Sequence, residues 1–568
     1  YRVYTHKDGT PWYKRLLLMP DSNDKHWLPV EMNDDVAVKL VDQGQGKPKR
    51  IKLLKKERHG QTYWKSEDGT YYQTHEDNPN MATLFHENNG ELVEHGQESI
   101  EFTQKFYIHS TFNDFQKDLN LQNPKVVSEL LDVLGFWLSK EVRGIRLDAV
   151  HRLIKTEGKS GEHQEETLAL LEYFHRFIRM IEDDALFMPE LVDVPQNAIV
   201  KHNYFGDMGK IDGEKTTLRS NALFNFNKSV ENFYAYAAGD FRSFHNHLEV
   251  TRQIPTPEGT TEVIYPGTHH DEIYNGLLGA YYPDESYVKE IREGFIQMGE
   301  EAGGVSYKNG NSVAVTPMDL LGNQEQIINF YKFTMGEYGS VAIFEGNELG
   351  LKNNYRHLNE KTLETIEAKI ADEQFEAEGA PVVQEIQRLK QNPELLARSP
   401  QELSEFPHFK EYYDGRLLHR HQMSEDIKEG AKNNPIYQSL ARLSEIRDNS
   451  KALRDGAREE QLPTMRADIG SFVRRHYTND SQVDDEVAVL TNRATDENGQ
   501  PVSTTVNISL DHLTAHQRFE LKELTGKNQD RLWSNNFYNK SEIDRGHISI
   551  DMKPNETLWL QIIPERSR

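Results

Sequence analysis

In Gly144-Ile-Arg-Leu-Asp-Ala-Val-His151, a short apolar run that begins at Val142 ends on an aspartate. Such a run reads as a buried strand that delivers a carboxylate at its C-terminal end. Strand side chains repeat every two residues, so Arg146 and Asp148 share a face, and the guanidinium can hold the carboxylate ionised and oriented. A purely structural ion pair at a strand end also accounts for these two residues taken alone.

On either side of this strand, helical and strand patterns alternate. Asn123-Pro124 opens a helix, with Pro in the first turn where its missing N–H costs nothing, and Val127, Leu130, Leu131, Leu134, Trp137 and Leu138 form its expected apolar side. A second helix, about Glu165 to Glu182, leads to a strand from Ala185 to Pro189 that ends at Glu190. Further strands are expected at Ala222 to Phe226, Glu262 to Pro266 and Ser340 to Phe344. Short apolar strands alternating with helices predict parallel β/α units, with polar residues collected past the strands' C-terminal ends, as in a (β/α)₈ barrel.

The flanks differ. From about Tyr13 to Lys105 the chain is polar and rich in turn signals, with a hairpin expected around Asp68-Gly69 between Gln61–Trp64 and Thr70–Gln73. This stretch predicts a small, irregular β-rich region. Residues 352–434 read as a charged, helix-prone insertion that resembles a solvated excursion more than a lid, and Asn434-Pro435 starts a further amphipathic helix through Leu440, Leu443 and Ile446. From Leu462 a period-two pattern, as in Glu486–Leu490 and Thr504–Ile508 with Asn498-Gly499 between them, predicts an antiparallel β-sandwich. The expected domains are therefore 1–105, the end of strand three with a β-rich insertion; 106–461, the rest of the barrel with the 352–434 insertion; and 462–568, the sandwich.

Composition narrows the function. A formal charge of -25 over 568 residues repels a phosphate backbone, which argues against nucleic acid as a partner. No apolar run approaches the length of a membrane-spanning helix. Zero cysteines exclude disulfides, cysteine nucleophiles and thiolate metal sites, and leave the compartment, cytoplasmic or secreted, open.

Three motifs carry chemistry. Retaining cleavage of a glycosidic bond needs one carboxylate that attacks the anomeric carbon and one carboxylic acid that protonates the departing oxygen. The first must stay ionised beside a cation; the second must stay neutral in a drier place. Asp148 beside Arg146 and Glu190 after Phe187-Met-Pro fit these two needs. The third motif is Thr268-His-His-Asp-Glu272, where His270 and Asp271 are suited to sugar hydroxyls or to a metal, although no third ligand stands at metal-site spacing.

In this order the motifs resemble the α-amylase superfamily. The resemblance implies Asp148 as nucleophile at strand four, Glu190 as acid/base at strand five, and Asp271 as transition-state stabiliser at strand seven. Arg146, His151 and His270 would bind substrate, His151 facing the acceptor sugar. Thr111–Pro124 resembles the family's run before strand four and Ser340–Gly350 its strand eight. The implied activity is retaining hydrolysis of α-glucosidic bonds in α-glucans or maltodextrins. The implied cofactor is none, although many relatives carry calcium. Asp148 and Glu190 are expected in one cleft, about 5–5.5 Å apart, with Asp271 lining it. Aromatic rings for the sugar faces are expected from Tyr107, Phe112, Phe205 and Tyr274.

Two departures stand out. His269 occupies a position where the family usually has Asn, and the strand-three motif of an Asp followed by Asn-His is absent. Thr5–Tyr13 resembles the stretch just after that motif, so the expectation is a fragment whose barrel lacks its first strands and is open on one side. Pro317–Gly322, Gly346–Gly350 and Ile254–Pro257 also resemble trehalose synthases, which makes glucosyl transfer the alternative to hydrolysis, with a catalytically silent glycan-binding relative as a third reading.

Overall fold

The computed structural model describes residues 18–20, 27–31, 36–41, 49–75, 81–99, 101–103, 105–112, 116–155, 162–191, 204–206, 218–252, 260–265, 272–274, 277–307, 312–371, 381–462, 466–509, 518–526, 537–539 and 547–564. The chain divides into two compact units. One comprises Tyr1–Val142, His151–Thr167 and Met180–Glu182; the other comprises Arg143–Val150, Leu168–Arg179 and Asp183–Arg568.

In the first unit, residues 36–103 form a seven-stranded antiparallel sheet. Its order is Glu91–Ser99, Met81–Asn88, Tyr71–Thr74, Gln61–Ser66, Lys49–Arg58, Val36–Val41 and Glu101–Thr103. The expected hairpin is there, with Gly69 at φ 90° and the Ser66 N–H donated to the Thr70 carbonyl at 2.9 Å. The region is more regular than its sequence suggests. Leu53, Tyr72 and Ala82 form a small core on one face, packed with Ile51, Trp64 and Leu84. The run of basic residues in Lys49–Arg58 hides the period-two signal. A separate three-stranded antiparallel sheet places Lys105–His109 between Leu18–Pro20 and Trp27–Glu31.

The helix Pro124–Leu138 starts as expected, with the Asn123 side chain accepting from the Lys125 N–H. Of its expected apolar side, Leu138 is buried and Val127, Leu130, Leu131 and Leu134 are half-buried, whereas Trp137 is exposed; Val126, outside that set, is buried as well. Just before it, Asp118 accepts hydrogen bonds from His109 Nδ1 (2.7 Å) and the Thr111 hydroxyl, and pairs with Lys155 Nζ (2.7 Å). Burial alone would raise the Asp118 carboxyl, but these three partners win and hold it well below the usual range.

The second unit contains the expected parallel strands, each shorter than the sequence suggests. Gly144–Leu147 pairs in parallel with Leu186–Pro189. Thr261–Ile264 lies between Ala222–Phe224 and Ser340–Val341, parallel to both. The Asn221 N–H donated to the Phe187 carbonyl (3.2 Å) joins the two sheets, so these five strands follow one another in chain order. Helices alternate with them, including Phe226–Ala238 and Gln324–Met335, and the shared core includes Phe224, Phe233, Phe295, Phe330 and Phe333. At Gly339 (φ 108°) the chain turns against the Glu262 carbonyl so closely that a Cβ would lie 2.6 Å from it. Only glycine combines that conformation with that approach.

The 352–434 insertion is helical, as expected, but it is not merely solvated. Ile366, Val382, Ile386, Leu389, Leu396, Leu403, Phe406 and Phe409 form an apolar core of its own. The helix Pro435–Asn449 is capped by Asn434 and buries Ile436, Leu440 and Leu443. After it comes a C-terminal β region, a six-stranded and a two-stranded antiparallel sheet around Val473, Leu490, Phe519, Ile550 and Leu560. Among the described residues no helix is long and apolar enough to cross a membrane.

Candidate active site

Two neighbouring parallel strands bring the two carboxylates together. The pairing sets Leu147 opposite Pro189, and the Glu190 N–H is donated to the Leu147 carbonyl at 2.7 Å, so Asp148 and Glu190 emerge side by side. Asn221 fixes the second strand from its other side. Its Oδ1 accepts from the Phe187 N–H (2.6 Å) and its amide donates to the Ala185 carbonyl (3.1 Å), so one side chain imitates a strand's hydrogen-bonding edge.

Arg146 reaches both acids. One guanidinium nitrogen lies 3.0 Å from Asp148 Oδ1 and the other 2.8 Å from Glu190 Oε2. The environments of the two carboxyls diverge sharply. The Asp148 side chain is 74% exposed and that of Glu190 only 6%. Burial, and then a hydrogen bond to Asp148, push the Glu190 carboxyl up to about 7, while Arg146 and the Ala149 N–H act in the opposite direction. Glu190 is therefore protonated below about pH 7. The two carboxyl side chains also meet directly. They share a hydrogen bond, because the Arg146 fork draws both carboxyls to one cation.

Ala149 shows that the turn is constrained. At φ 43° it occupies the left-handed region, which costs a residue with a Cβ about 1–3 kcal/mol. Its N–H is donated to Glu190 Oε2 at 3.1 Å, and the next N–H, of Val150, goes to the Glu190 carbonyl at 3.0 Å. Sequence reasoning missed this feature, since nothing in Asp-Ala-Val announces a positive φ. It also missed the aromatic wall of the pair. The Arg146 guanidinium stands 5.7 Å from the centre of the Phe224 ring, and Phe224 packs at 4.8 Å on Tyr265. Both follow from the strand order, which no motif carries.

The other expected site residues fare differently. His151 belongs to the first compact unit, where it is buried and stacked on His163 at 5.5 Å, its Nε2 accepting from Arg152 Nε at 3.1 Å. Burial, reinforced by Arg152, pushes its imidazole down to about 3, so the ring is neutral. His270 and Asp271 lie outside the described residues. Of the aromatics, Phe205 is fully buried and packs as core, so it offers no ring face to a sugar. Phe112 is exposed and stacks under Arg152 at 5.6 Å, and nothing is described of the Tyr107 and Tyr274 side chains. Among the described residues no group of three or more histidines and acids is placed to hold a metal ion.

The α-amylase catalytic-domain model matches residues 12–272. A trehalose synthase of Pimelobacter sp. (strain R48) is 28% identical over 251 residues, which is 44% of this chain and 41% of the relative. A trehalose synthase/amylase of Mycolicibacterium smegmatis is 38% identical over 104 residues, 18% of this chain and 17% of its own length. An oligo-1,6-glucosidase of Parageobacillus thermoglucosidasius is 41% identical over 80 residues, 14% of each chain. The chain thus spans less than half the length of these curated relatives. Residues 12–272, which hold Arg146, Asp148, Glu190 and Asp271, belong to the α-amylase catalytic-domain family.

Proposed function

We propose that this chain carries the chemistry of a retaining glycosidase acting on α-glucosidic bonds in α-glucans or maltodextrins. The observation behind the reading is the split carboxyl pair, with an exposed, cation-held Asp148 against a buried Glu190 that keeps its proton to about pH 7. Asp148 attacks the anomeric carbon and the bond to the leaving oxygen breaks as Glu190 gives up its proton to that oxygen. The resulting Glu190 carboxylate then takes a proton from water, whose oxygen displaces Asp148 from the sugar and restores both groups. Asp271 stabilises the positive charge that develops on the ring, and His270 binds sugar hydroxyls. No cofactor takes part in either step.

The five parallel strands stand, on this reading, for strands four to eight of a (β/α)₈ barrel. The domain limits then fall at 105/106 and 461/462. The substrate is the neutral glucan alone, with neither nucleic acid nor membrane as a partner, which the -25 charge supports.

A second reading, glucosyl transfer within a disaccharide, is favoured by the names of the trehalose synthases among the relatives. The two differ only in what attacks the intermediate, water or a retained sugar hydroxyl. Maltose incubated with the protein should give smaller sugars with new reducing ends. Its conversion to a non-reducing disaccharide would replace hydrolysis by transfer. Binding of maltodextrins without any product would sink both in favour of a silent glycan-binding protein.

A further inference from the structure

The aromatic wall behind Arg146 has no role in bond cleavage, yet it is built with care. Phe224 is the last residue of its strand and is buried. Tyr265 follows Thr261–Ile264, the neighbouring parallel strand, and its ring lies 4.8 Å from Phe224 and 6.2 Å from Phe226, stacked on the latter at 9°. The Tyr265 backbone N–H is held by the Ser229 hydroxyl at 2.9 Å. Phe224 also meets Arg146, 37% exposed, whose guanidinium lies 5.7 Å from the ring centre. A cation at that distance is attracted by the ring's negative face, and the attraction grows where water is excluded.

Arg146 has two acids to serve, and which of them it serves depends on where its planar head is held. We infer that Phe224, backed by Tyr265, is a positioning residue that pins the Arg146 guanidinium between Asp148 and Glu190. Without the ring face the guanidinium follows the exposed carboxylate outward, since Asp148 lies toward solvent and Glu190 does not. Glu190 then loses that cation. Among the described residues, Glu190 faces Arg146 and Asp148 from one strand, the Ala149 N–H and the Tyr265 phenol, and of these Arg146 favours its ionised form by charge. The inference rests on the proposed roles of Asp148 and Glu190 only for its kinetic consequence; the placement of Arg146 is independent of them.

The test compares Phe224→Leu, which removes the ring, with Phe224→Tyr, which keeps the face, and uses Phe224→Met should the leucine variant fail to fold. Titration of Glu190 is followed by ¹³C NMR on carboxyl-labelled protein, with Glu190→Gln assigning the signal. Hydrolysis of maltose, whose leaving oxygen needs the proton, is measured against pH in parallel. With the ring gone, Glu190 should titrate about one unit higher, as loss of an adjacent opposite charge requires. The alkaline limb of kcat/KM should follow it while KM stays within about twofold, and Phe224→Tyr should titrate as the parent does. A folded leucine or methionine variant with unchanged Glu190 titration overturns the inference, as does an equal shift in the tyrosine variant. If the parent hydrolyses no α-glucoside, the glycosidase reading fails while the NMR titration still decides the place of Phe224.

Discussion

Two clusters of carboxylates in the second unit, both touched by the strand Thr261–Ile264, solve the problem of buried charge in opposite ways. Tyr265, just past the strand's end, stands beside Glu190 and Arg146. Glu262, within the strand, joins Arg458 at 2.9 Å and the Asn225 amide at 3.0 Å, close to a second network in which Lys228 pairs with Glu337 (2.9 Å) and Glu459. In that network Lys228, Glu337, Glu459 and Arg474 are all buried. Arg474, fully buried, donates to the carbonyls of Gly456 and Ala457, and Arg447 to those of Met335, Glu337 and Gly339. The cluster holds the turn before Ser340–Val341 against Glu459, next to the C-terminal β region.

The comparison teaches that a shifted acid is not by itself a catalytic one. Burial pushes Glu337 up to about 8 and Glu231 up to about 7, as far as it pushes Glu190. Glu231 spends its carboxylate on the Gly279 N–H at 2.7 Å, and Glu337 stands against Lys228. Only Glu190 shares its cation with a carboxylate that is open to solvent. One proton, one exposed base and one shared cation make a reactive pair, whereas a closed set of partners makes a strut.

The largest effect should come from the exposed member. Asp148→Asn should lower turnover by about 10⁴–10⁶-fold, because no covalent intermediate forms. It should leave the melting temperature nearly unchanged, since the residue is mostly outside; a large loss of stability would place Asp148 among the struts.

The buried network should answer in reverse. Lys228→Met leaves Glu459 buried without its main cation and should cost about 3–5 kcal/mol in thermal or denaturant unfolding. Turnover per folded molecule should stay within about threefold. If activity fell with stability unchanged, the division between the two clusters would collapse.

Glu190→Gln should be selective. Poor leaving groups, which need the proton, should slow by about 10²–10⁴-fold. Activated aryl α-glucosides should still form the intermediate, and the loss of activity as pH rises through about 7 should disappear from the first step. Equal damage to both substrates would remove Glu190 from the role of proton donor.

The smallest effect concerns pH and stability. Glu190, Glu231 and Glu337 all have folded values above those of an unfolded glutamate, so each binds its proton more tightly in the folded state. Their stabilisation is complete at pH values below about 4.5 and is lost as pH rises through 7 and 8. The melting temperature should therefore decline between pH 5 and 8, and Glu337→Gln should flatten that decline without moving the kinetic limb assigned to Glu190. An unflattened curve would show that Glu337 is ionised in the folded protein.

How much of this could be read without coordinates depended on the range of the interaction. The sequence alone carried the alternation of strands and helices, the caps at Asn123 and Asn434, and Arg146 beside Asp148, because each rests on residues within a few positions of one another. It carried the pairing of Asp148 with Glu190 only through resemblance, since strand order is a long-range property. Tertiary structure alone decided that the Lys49–Arg58 strand belongs to a regular seven-stranded sheet, that the 352–434 insertion has a core of its own, and that Phe205 is interior. It also decided the inequality of the two carboxyls. Both are acids after apolar strands, and nothing local distinguishes them. One is exposed and the other buried because neighbouring strands, the Ala149 turn and the Phe224–Tyr265 wall close around Glu190 and leave Asp148 in water.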